Sequence, residues 1–148
     1  MSALKIAQGE WVVVCDGAKS LLLENKGDEM FPNLETLSVR AQENPATAAQ
    51  GAEPPGRVHA SAGTHRSSVE QTDWHDQAEQ TFLAALITDL NHAAEQGQVK
   101  AITIVAPPRA LGMMRPLYSK PLQGVLQNEI AKDYVSHPVH EIERLLTK

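Results

Sequence analysis

Cysteine occurs once in this 148-residue chain, so no disulfide can form within it. That usage fits a reducing compartment. Aromatic residues are scarce, at two each of Trp, Tyr and Phe. A core must therefore be built from Leu, Ile, Val and Ala. A base-stacking surface of the kind single-stranded nucleic-acid binders use is also disfavoured. Positive charge is in deficit: 13 Lys and Arg against 18 Asp and Glu give a net charge of -5. Binding to nucleic acid would then have to come from a local basic patch rather than from the chain as a whole. The N-terminal residues contain no apolar stretch of the secretory kind. No apolar run approaches the roughly 20 residues of a membrane span. These absences lead to an expectation of a cytoplasmic protein with no membrane partner.

A hydrophobic fraction of 42% suffices for one core, and the length suits a single domain covering residues 1–148. Trp11–Cys15 (WVVVC) reads as a strand. Asp16–Gly17 is the strongest hairpin signal, with Ser20–Glu24 returning. Asn25–Asp28 marks a second turn. Leu34–Arg40 is a third strand, with Leu37 and Val39 expected on one face and Thr36, Ser38 and Arg40 on the other. Gln42–Ser68, rich in Pro, Gly, Ala and Ser, is expected to be a long mobile loop. Thr72–Asp73 is the expected cap of a long helix whose apolar residues recur at Phe82, Leu86 and Leu90 and which stops at Gly97. Lys100–Val105 is a buried strand that ends abruptly at Pro107–Pro108, where the next helix opens. Pro116 predicts a break near Arg115. A fifth strand over Val125–Lys132 and a last helix over Ser136–Lys148 complete the order β-β-β-α-β-α-β-α. That order gives an α/β fold with a ribonuclease-H-like mixed five-stranded sheet and helices on both faces.

Four blocks carry a resemblance: WVVVCDGAKSLLL, GRVHASAGTHRSSVEQTDWHDQAEQTFLAALITDL, ITIVAPPRALGMMRPL and NEIAKDYVSHPVHEIERLL. Together they resemble the bacterial "protein required for attachment to host cells" family, over nearly the whole chain. That family is similar to the middle domain of archaeal and eukaryotic class-1 peptide-chain release factors, a ribonuclease-H-like unit. In that domain a Gly-Gly-Gln loop triggers peptidyl-tRNA hydrolysis. The 42–68 loop falls in the corresponding place, but the chain holds no Gly-Gly-Gln, and Ala62–Gly63–Thr64 is its nearest approach. Pro116 stands where family members more often have a helix-forming residue. The resemblance therefore implies a non-catalytic binding module, with the ribosome, tRNA or RNA as partner. The alternatives are a small hydrolase using His65 or Ser67, and a factor that binds another protein and affects attachment indirectly.

Five residues are the expected binding set: Arg57, Gly63 and Arg66 in the loop, and Arg109 and Arg115 beyond the fourth strand. Arginine suits phosphate through bidentate contacts, and open α/β sheets bind ligands at the carboxyl ends of their strands. Lys120 extends the patch. The competing reading of Arg109 is a salt bridge that orders the loop. Asp16 reads as a turn former and not as a metal ligand, because the fourth strand ends in Val105–Ala106–Pro107 with no second carboxylate. Asp73 and Asp76 read as residues favoured at the positive end of the helix dipole. His59, His65 and His75 lack metal-site spacing, and Cys15, ending an apolar run, reads as structural. No catalytic residue, metal or cofactor is expected.

Overall fold

The computed structural model describes residues 4–42 and 67–147, with side chains from residue 75 onward in the second stretch. Most of the expected 42–68 loop, with Arg57, Gly63 and Arg66, lies outside the described residues. Five strands form one mixed sheet in the order β3-β2-β1-β4-β5. They are β1 (Trp11–Cys15), β2 (Lys19–Asn25), β3 (Leu34–Ala41), β4 (Ile102–Ala106) and β5 (Leu126–Ala131). β1–β2–β3 is an antiparallel meander, and β4 runs parallel to both β1 and β5. The helices are α1 (Ser67–Glu95), α2 (Pro108–Met114), α3 (Lys120–Val125) and α4 (Val139–Thr147), with a 3₁₀ turn at Arg115–Leu117.

The sheet divides two cores. On one face Val13, Cys15, Ile102 and Ile104 pack against Leu83 and Ile87 of α1, Leu111 and Met114 of α2 and Leu122 of α3. On the other, Val12, Val14, Leu23 and Val105 lie with Ile142 and Leu146 of α4. Helices cover both faces, as the element order predicts. β4 is buried along its whole length, which explains its unbroken apolar run. The Gly97 stop is a Schellman cap: Gly97 has φ +71°, its N–H donates to Ala94 O (3.2 Å), and Gln98 N–H donates to Ala93 O (2.9 Å). The helix opened by Pro108 ends before Pro116, and the chain tightens into the 3₁₀ turn at Arg115.

Four expectations need correction. α1 starts at Ser67, not at Thr72–Asp73, so Ser67 and Ser68 belong to the helix and not to the loop. No helix breaker stands between Ser67 and Thr72, so the helical backbone can run back past Thr72. The fifth strand spans Leu126–Ala131, not Val125–Lys132, because Val125 closes a short helix, Lys120–Val125, absent from the expected order; Ser119 caps it by accepting from Leu122 N–H (3.2 Å). The last helix spans Val139–Thr147, not Ser136–Lys148, because Pro138 serves as its cap residue, its carbonyl accepting from Ile142 N–H (3.0 Å). Thr36 does not share a face with Ser38 and Arg40 but with Val39. A bulge opposite Leu22 and Leu23 makes Leu37 an extra residue, so Thr36 pairs with Leu23 and Val39 with Leu21.

Candidate functional site

β1 and β4 are parallel neighbours, and the chain leaves their carboxyl ends in opposite directions, to β2 on one side and through α2 to β5 on the other. Such a switch point opens a crevice in α/β sheets. Here the crevice is a pocket of about 200 Å³ with Asp16, Glu79 and Arg109 at its rim and Leu83, Ala110 and Met113 beneath. It is smaller than the roughly 300–1,000 Å³ of drug-sized ligand sites, so it admits one small group or side chain.

The β1–β2 turn forms one wall. Asp16 Oδ1 accepts from Ala18 N–H (2.8 Å) and Lys19 N–H (2.9 Å), the backbone role its turn reading predicts. Gln42, the last described residue after β3, grips the same turn. Its N–H donates to Ala18 O (2.7 Å) and its side-chain Nε2 donates to Gly17 O (3.0 Å).

α1 forms the second wall. Glu79 lies so close over Gly17 that a Cβ there would meet Glu79 Cγ at 2.7 Å and Cδ at 2.8 Å. A side chain at Gly17 would thus force Glu79 to shift; its φ is not positive. Replacing Gly17 with Ala is expected to cost about 1 kcal/mol in urea unfolding, because Glu79 must swing away from Arg109. That cost should largely vanish in a Glu79→Ala background, and an undiminished cost would show that the close packing is not its source.

Arg109, on the first turn of α2, closes the third side. Its Nε donates to Glu79 Oε1 (3.1 Å), and its Nη2 pairs with Asp76. These bonds, Glu79's first, hold its pKa above the ordinary value. Asp76 and Glu79 are three residues apart and share a helix face, so the acidic half of this clamp was visible as a spacing. The dipole reading of Asp76 fails because the helix begins nine residues earlier. Arg109 makes a salt bridge, as its competing reading held, but to α1 rather than to the loop.

Arg115 is engaged elsewhere. Its Nε donates to Glu129 Oε1 of β5 (3.0 Å), while the Tyr118 hydroxyl donates to Glu129 Oε2 (2.7 Å). Burial, then the bond to Glu129, push Tyr118 above its usual range and keep it a proton donor. The expected patch of Arg109, Arg115 and Lys120 is therefore split, with each arginine neutralised by a carboxylate of a different element. Cys15 is fully buried beside Met114. Burial, and then Asp16, raise its thiol to about 12, so it is a packing residue and not a nucleophile. Among the described residues no three His, Cys, Asp or Glu side chains converge as a metal site. None of their helices is long and apolar enough to cross a membrane.

Against known proteins, the chain is 39% identical over 51 residues to the Uncharacterized protein RP470 of Rickettsia prowazekii (strain Madrid E). That match covers 34% of this chain and 34% of the relative, so only about a third of the relative's length is spanned. Among solved structures, the ethanolamine utilization protein EutJ from Carboxydothermus hydrogenoformans matches 87% of this chain and 47% of its own, at 13% identity and a TM-score of 0.38. Residues 10–146, from the residue before β1 to the last turn of α4, fit the sequence model described as Bacterial archaeo-eukaryotic release factor family 12, and the chain belongs to that family.

Proposed function

We propose that this protein is a non-catalytic binding module that engages the ribosome or RNA through residues 43–66, with the Asp16–Ala18 turn, α1 and Arg109 as the rigid mount. Membership of a release-factor family supports a role in translation. The observation that carries the reading is the anchoring on either side of that segment. Gln42 is bonded to the Asp16–Ala18 turn on one side, and α1 is packed on Gly17 and clamped to Arg109 on the other. A binding segment mounted on rigid elements loses less entropy on contact than one on a free linker.

Charge supports the same reading. The arginines at 40, 109, 115 and 144 are each paired with a carboxylate. Arg57 and Arg66 stand in the stretch Gly56–Arg66, which has two histidines and no acidic residue. With so few aromatics, contact would be to phosphate and not by base stacking. The absence of Gly-Gly-Gln supports binding over hydrolysis.

Sedimentation with purified ribosomes on sucrose gradients at low and moderate salt tests this. The wild-type chain is expected to co-migrate at low salt, to be released as salt rises, and to lose co-migration in Arg57→Ala/Arg66→Ala. Absence from the ribosomal fractions at both salts removes the reading and turns the search to a protein partner.

A further inference from the structure

Four of the five large hydrophobic side chains that stand exposed among the described residues gather at one edge of the sheet. Leu37 (43%) and Val39 (57%) are on β3, and Met30 (80%) and Phe31 (75%) lie in the turn that enters it. β3 is an outermost strand and, at eight residues, the longest of the five. Natural edge strands are commonly blunted by proline, charged side chains or bulges; Leu34–Ala41 has no proline or lysine, and its two charges, Glu35 and Arg40, and its bulge are arranged to suit a partner strand.

The bulge indicates what pairs with this edge. Residues directly opposite in a sheet point to the same face. Glu35 is opposite Glu24, which is opposite Trp11; Arg40 is opposite Ser20, which is opposite Cys15. Trp11 and Cys15, four apart on one strand, share a face, so Glu35 and Arg40 share it too. Arg40 accordingly reaches Asp89 of α1 on that face. Five residues apart in a regular strand, Glu35 and Arg40 would point to opposite sides; the extra residue Leu37 brings them to one.

The strand is thereby self-complementary. A twofold axis normal to the sheet, passing between Leu37 and Ser38, sets Glu35 of one copy against Arg40 of the other at both ends. It also sets Thr36 against Val39 twice, and the members of each of these pairs lie on one face. We propose that the protein forms a twofold homodimer by antiparallel β3–β3 pairing, which joins the two five-stranded sheets into one and covers Leu37 and Val39. Arg40 has five donors and can hold Asp89 and the second copy's carboxylate together. An isologous contact of this kind closes on itself and leaves no further free β3 edge.

Sedimentation equilibrium of the full chain tests the proposal, with circular dichroism to verify folding of each variant. The wild-type chain is expected to be a dimer. Glu35→Arg and Arg40→Glu each place like charges at both ends and should weaken it about tenfold or more. An equimolar mixture of the two variants should recover wild-type dimerisation, since the heterodimer has opposite charges at both ends. Leu37→Lys/Val39→Lys should be monomeric with its fold retained. A wild-type monomer at the highest soluble concentration overturns the proposal. So does a dimer that survives Leu37→Lys/Val39→Lys, or a mixture of the charge variants that stays monomeric.

Discussion

Replacing Asn25 with Ala is expected to lower folding stability by about 3–5 kcal/mol, a large part of the roughly 5–15 kcal/mol that holds a domain together. Asn25 is fully buried at the end of β2. Its Nδ2 donates to the carbonyls of Ile6 (2.8 Å), Ala7 (3.2 Å) and Asp28 (3.2 Å). Its Oδ1 accepts from Gly27 N–H (2.9 Å) and Asn33 N–H (2.8 Å). One side chain thus ties the segment before β1 to the β2–β3 turn. Alanine leaves those backbone groups without their partner in a place water reaches poorly. Asn25→Asp should be no rescue, because a carboxylate would face three carbonyl oxygens with no proton to give. Urea unfolding checks both variants. A loss under about 1 kcal/mol for the alanine variant would mean that water replaces the side chain.

The second large effect is expected at Ile104. Ile104→Ala should cost about 3–5 kcal/mol, and Ile104→Val only about 1 kcal/mol. Ile104 is fully buried in the core beneath α1 and α2, paired with Val13 on one side and Glu129 on the other. A central strand held on both sides and covered on both faces has little room to collapse into a cavity. The loss should appear as a lower urea midpoint with an unchanged slope. Val39→Ala, at the exposed edge, should change stability by no more than about 0.5 kcal/mol. Similar losses at Ile104 and Val39 would contradict the burial described here.

These two positions differ in how far they can be read in advance. Ile104 sits in an apolar β-branched run closed by two prolines, so its strand and its burial follow from local pattern. Asn25 reads only as a turn residue. That it also bonds Ile6 and Ala7, 19 and 18 positions away, depends on where the preceding segment docks. The same division runs through the crevice. Asp16 announces its turn by its side-chain chemistry, and Gly97 its cap by its freedom at positive φ. Gly17 was legible as a turn glycine, yet what a side chain there would displace is Glu79, 62 residues later in the chain.

Composition, period-two and helical patterning, and the Gly and Pro stops by themselves determined the order of the five strands, the mixed sheet and the helices on both faces, though not the short helix Lys120–Val125. These signals act within a few residues, through backbone sterics and the burial of one face, and so can be read along the chain. Tertiary structure alone decided that Arg109 is clamped by Asp76 and Glu79 and that Arg115 is drawn away to Glu129. It alone inserted the bulge at Leu37 that turns Glu35 and Arg40 to one face. Charge pairing and register depend on which elements become neighbours, and a free arginine and a paired one are spelled with the same letter.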